Sequence, residues 1–328
     1  MDERSPLLGN QPQQGADLLS PNLRPRHQEL ILTPCGPMKR WSELPRLLQV
    51  YFCSAILSLL ALLGLTLFSL YKQHMDTGVL DEDNFTVSLI QLIGILFCIY
   101  YISRGVLQEN RQELVAFVFS VFVVIIRSVV NFFVLVSKGQ QELLTTIRFG
   151  FIVGLGIIHI VCTLLLIRRP NMMAFRVGGA LECLQEQYSL LNRCFSMVTF
   201  DLQAQLCLCV LIITTNLVTS AADNIIAGVG VFWAILTAAV GAVAVLKEAK
   251  VLVWVFMVLN LPQVAFFVYL MYTVAEKWFQ NETYTVEAAA ITGALISLVI
   301  KVLLFWGLIR LVHSFGQGLR ERMFAHNQ

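Results

Sequence analysis

Charge is what this chain has least of. Only 13% of its 328 residues are Asp, Glu, Lys or Arg, against 57% hydrophobic, and the mean hydropathy is +0.73. A soluble domain carries about 25% charged residues, so water is not the main solvent of this fold. The formal net charge of +2 supplies no basic surface for nucleic acid. Eight cysteines are present (Cys35, Cys53, Cys98, Cys162, Cys183, Cys194, Cys207, Cys209), but none falls in a segment expected to face an oxidising lumen. A disulfide framework is therefore excluded. The cysteines read as small core hydrophobes, with Cys183 and Cys194 as candidates for palmitoylation.

Other absences remove function classes. There is no metal-ligand spacing, cofactor motif, histidine-rich box, paired intramembrane carboxylate or Gly-rich phosphate loop, so enzyme chemistry has no foothold. The seven-helix receptor class is disfavoured too, since no Asn-Pro-x-x-Tyr occurs in the seventh apolar segment. The first forty residues are polar and Pro-rich, unlike a cleaved signal peptide.

What is present is a series of long apolar runs: 49–71, 87–107, 114–137, 149–168, 201–221, 225–246, 251–274 and 288–312. Each holds the roughly 20 residues a helix needs to cross the hydrocarbon core. The expected fold is an all-α polytopic membrane protein of eight transmembrane helices in two parallel four-helix halves, both termini cytosolic. Its parts are a disordered tail (1–38), a first half (39–168), an interfacial linker helix (169–200), a second half (201–312) and a short tail (313–328).

Orientation follows from the basic residues. With the N-terminus inside, Lys39, Arg40, Arg46, Arg104, Arg111, Arg168, Arg169, Arg176, Arg193, Lys247, Lys250, Arg310, Arg320 and Arg322 are cytosolic. Only Lys72, Lys138, Arg148 and Lys277 are then lumenal, a strong positive-inside bias. The sequons Asn84-Phe85-Thr86 and Asn281-Glu282-Thr283 both fall on the lumenal side, which makes Asn84 and Asn281 the candidate glycosylation sites.

In the N-terminal tail, Glu3-Arg4-Ser5-Pro6-Leu7-Leu8 resembles the acidic dileucine signal that clathrin adaptors read on lysosomal membrane proteins. Two leucines in an extended peptide can enter an apolar slot while the Glu3 carboxylate meets a basic patch. The resemblance implies a clathrin adaptor as partner and a late endosomal or lysosomal address. Residues 38–48 add Trp41 among basic groups, the composition of a segment anchored at the lipid interface.

An internal duplication is expected. Val106-Leu107 and a charged turn are echoed by Val245-Leu246 and another, and Leu166-Ile167-Arg168 by Leu308-Ile309-Arg310. Ala116-Phe117-Val118-Phe119 is set against Val253-Trp254-Val255-Phe256, and Leu48-Gln49 with Cys53 against Leu202-Gln203 with Cys207.

Ionisable groups deep in a bilayer are costly and usually functional. Arg127, His159 and Lys301 are read at mid-membrane depth, with no Asp or Glu at comparable depth. Ser120, Arg127 and Asn131 share one helical face; Gly156, His159 and Thr163 share another; Ala290, Ala294, Ser297 and Lys301 form a third. Pro262 lies between Asn260 and Gln263 and should free the Val258 carbonyl and kink the seventh segment. The candidate solute-binding set is thus Arg127, Asn131, His159, Asn260, Gln263 and Lys301. It points to a transporter or channel for a small anionic or zwitterionic solute. A non-transporting scaffold, trafficking factor or lipid-binding protein is the other reading, with Gly230, Ala234, Ala238 and Ala242 offering a homodimer face.

Overall fold

The computed structural model describes residues 31–33, 36–75, 82–137, 139, 143–168, 172–179, 181–214, 221–277, 284–316 and 319. The sorting residues Glu3, Leu7 and Leu8 and the sequon at Asn281 lie outside the described residues. The elements are two short strands, β1 (Ile31–Thr33) and β2 (Gly36–Met38), then α1 (Arg46–Met75), α2 (Glu82–Leu107), α3 (Arg111–Ser137), α4 (Leu143–Ile167), α5 (Met172–Gly178), α6 (Glu182–Thr214), α7 (Ala221–Leu246), α8 (Lys250–Lys277) and α9 (Tyr284–Ser314). Among the described residues, eight helices are long and apolar enough to cross a membrane. Such helices keep their backbone groups bonded internally without water. The chain is therefore an all-α polytopic membrane protein.

Within each set of four the packing is the same: α1 lies on α2 and α4, α2 on α3, and α3 on α4, just as α6 lies on α7 and α9, α7 on α8, and α8 on α9. The helix bounds repeat as well. Glu82–Leu107 and Ala221–Leu246 are both 26 residues long. The turns after them match bond for bond: Asn110 N–H donates to Gly105 O and Glu109 N–H to Val106 O, and Ala249 N–H donates to Ala244 O and Glu248 N–H to Val245 O. This is a Schellman cap whose left-handed position is a glutamate each time, at φ 48° for Glu109 and 50° for Glu248. These turns pair Phe117 with Phe256, both buried, rather than with Trp254 as the sequence echo had it. The match of Leu202-Gln203 to Leu48-Gln49 also fails, because α6 begins nearly twenty residues earlier than expected.

That early start is the main departure from the sequence reading. The expected interfacial linker 169–200 divides into α5 and the first half of α6, which continues unbroken through 201 to Thr214. Its polar residues made it look amphipathic and peripheral. In fact α6 is the most enclosed of the eight membrane-length helices, with 56% of its apolar stretch buried against 22% for α1 and α4. It packs on α2, α3 and α5 besides its own set. A helix surrounded by protein need not be apolar on every side, because its polar groups find partners on its neighbours.

The segment 31–38 is not wholly irregular: β1 and β2 pair antiparallel, and Lys39 N–H donates to Leu107 O at 3.0 Å. Lys39 also pairs with Glu109, and Arg176 with Glu43 at 2.9 Å, so this end of the bundle is strapped by ion pairs. Asn84 sits in the opening turn of α2, with Thr86 buried one residue beyond Phe85. Cys194 is fully buried against Gly307 of α9, which leaves no room for an acyl chain; Cys183 is exposed. The small-residue stripe of α7 is used within the chain, since Ala234 is buried and Gly230 faces Cys209 of α6.

Candidate functional site

The residues singled out by sequence fall in three places rather than one. The first is built where α6, α7, α8 and α9 meet. Lys301 on α9 is 1% exposed, and its ammonium donates to Asp201 Oδ2 at 2.8 Å, Asn260 Oδ1 at 2.7 Å and Gln263 Oε1 at 2.8 Å. An ammonium has three protons, and all three are taken. Gln205, one turn after Asp201, donates to Asp201 Oδ2 and to Gln263 Oε1, and Gln263 donates to Thr237 Oγ1 at 3.0 Å. The small residues preceding Lys301 on α9 (Ala290, Ala294, Ser297) are buried and let α6 approach closely.

Asp201 corrects the expectation that no carboxylate lies at this depth. Placing the fifth segment at 201–221 put Asp201 at a helix start, at the lipid interface. The long α6 carries it inward to Lys301. The pair corrects the role given to Lys301, too: its charge is neutralised inside the protein and is not open to an anionic solute. Asn260 and Gln263 flank Pro262 as expected, but they serve Lys301 rather than a cavity. Pro262 does not end α8, which runs unbroken through it.

The second place is a cavity of about 60 Å³ between α2, α3, α4 and α6. Ser120, Arg127 and Asn131 line it from α3, confirming their shared face, and Arg148 lines it from α4. Sequence reading had assigned Arg148 to a lumenal loop; α4 begins earlier, at Leu143, and Arg148 is buried, at 5% exposure. Its Nη1 donates to the hydroxyls of Ser88 at 3.0 Å and Ser69 at 3.3 Å. Arg127 Nε and Gln91 Nε2 are buried with no bonding partner. Gln203 of α6 completes the wall. Its Oε1 already accepts from Tyr101 at 3.0 Å and Ser120 at 2.9 Å, so the rest of its amide is a donor. Asp201 and Gln203 lie on opposite faces of α6, one turned to each set of four helices.

The third place is the α1–α4 seam. His159 Nε2 is 2.6 Å from Ser58 Oγ, and Tyr51 Oη is 2.6 Å from Thr163 Oγ1. Beside them is a cavity of about 40 Å³ whose polar lining side chains, among the described residues, are Ser58, His159 and the Cys98 thiol. His159 is thus separate from both Arg127 and Lys301, although His159 and Lys301 hold matching positions on α4 and α9. Each is met by a polar residue from the first helix of its own set: Ser58 in one, Asp201 in the other.

Chemically, the three places differ. At Lys301 the ammonium is fully bonded, though Asp201 Oδ1 has no partner; the His159 seam is mostly apolar, with Nδ1 unpartnered; the Arg127–Arg148 cavity brings two guanidinium groups together with unpartnered donors at Arg127 Nε and Gln91 Nε2. A family model described as a domain of unknown function (DUF7789) matches residues 35–168 and 178–310 of the chain. The chain belongs to this family. The second stretch that DUF7789 matches starts just before α6 rather than at 201, in line with the helix bounds. No curated protein and no solved structure matches the chain.

Proposed function

We propose that this protein is a multi-pass carrier of a small anionic solute, with the solute held in the cavity between Arg127 and Arg148. The observation that carries the reading is a cavity of about 60 Å³ lined by two guanidinium groups, with no carboxylate among its described lining residues. A buried charge without a partner is costly, and an anion is the ligand that offsets it. Both termini are read as cytosolic and the two four-helix sets as parallel repeats, on the basic-residue bias and the 26-residue correspondence of α2 and α7. The Glu3–Leu8 string supports delivery by clathrin adaptors to late endosomes or lysosomes, so the solute would leave or enter an acidic organelle.

A second reading is a scaffold or lipid-binding membrane protein. Lys301 favours it, because a midplane ammonium bonded to three protein acceptors is architecture and not a transport site.

The test is metabolite profiling of immunopurified lysosomes from cells lacking the protein, rescued with wild type or with Arg127→Ala/Arg148→Ala. An anion that changes on loss, and that only wild type restores, supports transport. Unchanged contents in all three samples would remove that support and leave the second reading in front.

A further inference from the structure

We infer that the ligand of the Arg127–Arg148 cavity is a divalent tetrahedral oxyanion: the charge class of sulfate or of a phosphate monoester, rather than a monocarboxylate or halide. This rests on the anion reading above and narrows it.

Charge comes first. Arginine keeps its proton in proteins, so Arg127 and Arg148 bring two positive charges to one enclosure. Arg148 meets only neutral hydroxyls, Ser69 and Ser88, and Arg127 Nε meets nothing. No Asp or Glu is among the described residues that line the cavity. A monoanion would leave one guanidinium uncompensated where water is scarce; a dianion neutralises both.

Donor supply agrees with the charge. Arg127 Nε and Gln91 Nε2 are buried donors without acceptors, and the Gln203 carbonyl oxygen is already engaged by Tyr101 and Ser120. Asn131 and the remaining guanidinium nitrogens add more. A carboxylate offers two oxygens to such a ring of donors. A tetrahedral oxyanion offers four, spread in three dimensions, which suits donors arriving from α2, α3, α4 and α6 at once.

The same chemistry could come from a free anion or from the headgroup of a phosphomonoester lipid, and the cavity is lined entirely from membrane-length helices. Full-length protein in neutral-lipid nanodiscs would be titrated at pH 7.5 with sulfate, inorganic phosphate, acetate and chloride, reading Kd by calorimetry and the shift in Tm. A parallel set of nanodiscs would carry phosphatidic acid with no added anion.

Sulfate and phosphate are expected to bind at least tenfold tighter than acetate or chloride. Arg148→Gln should collapse that ratio toward one, because the cavity then holds a single charge. Arg127→Lys keeps both charges and should keep the ratio while weakening every anion. If only phosphatidic acid raises Tm, the dianion is lipid-borne, which also supports the inference. Equal or tighter binding of acetate or chloride to wild type would overturn the divalent assignment while leaving the anion site standing. No response to any anion or lipid would overturn both. The wild-type ratio decides the matter even if a variant fails to fold.

Discussion

Lys301 shows at the scale of one residue why a buried charge cannot be interpreted without its neighbours. Read alone on α9, its ammonium asks for an anion; in the fold it has Asp201, Asn260 and Gln263 at hydrogen-bonding distance. Breaking a buried ion pair from one side leaves the other charge uncompensated, at a cost of about 3–5 kcal/mol. Lys301→Met alone and Asp201→Leu alone should each lower the detergent melting temperature sharply. The double variant should recover much of the loss, since apolar groups of similar volume are often tolerated where a pair stood. If the double variant falls as far as the sum of the singles, the pair is not the unit we take it to be. Asp201 was legible in part: Gln205 follows at helical spacing, so both share a face. What hid it was the boundary set at 201, because a carboxylate at a helix end needs no partner.

At the scale of elements, the two Schellman turns say most about how the chain is built. Glu109 and Glu248 both hold a left-handed backbone that costs a side-chain-bearing residue about 1–2 kcal/mol. Each has one buried carboxylate oxygen with no partner, Glu109 Oε2 and Glu248 Oε1, but Glu109 also pairs with Lys39 through Oε1. Glu248→Gly should therefore raise stability by about 1 kcal/mol, seen as a higher melting temperature, while Glu109→Gly should gain less or lose. A drop for Glu248→Gly would mean that its carboxylate has a role beyond the turn. The turns were visible in sequence as paired charged breaks after Val106-Leu107 and Val245-Leu246. The register across them was not, since apolar runs echo one another at several offsets. Backbone bonds pick out one: Phe117 and Phe256 are the matching core residues, each eight positions after its glutamate.

For the molecule as a whole, the surface is inverted relative to a soluble protein. Leu47, Val50, Leu57, Phe68, Val258 and Trp306 are exposed, while Asp201, Asn260, Ser297 and Lys301 are buried. Lipid is the solvent that makes this arrangement favourable. Orientation can be checked on the intact chain. Asn281→Gln should remove a glycosidase-sensitive mass from the expressed protein, and loss of no mass would argue against a lumenal loop between α8 and α9. Leu7→Ala with Leu8→Ala should shift staining from lysosomes to the plasma membrane, and unchanged staining would sink the sorting reading.

The sequence by itself determined the solvent, the number of membrane-length helices and the faces on which Ser120, Arg127 and Asn131 lie together. These properties are set by local composition and by the 3.6-residue period, which any stretch of chain carries within itself. Only the tertiary structure decided which polar groups meet. Arg148 joined Arg127, Asp201 took Lys301, and His159 was left with Ser58, because the position of one helix along its neighbour depends on packing across the bundle. Gly293 packs against Leu208 and Gly307 against Cys194, close contacts of α9 with α6 on which Asp201 and Lys301 come within bonding distance.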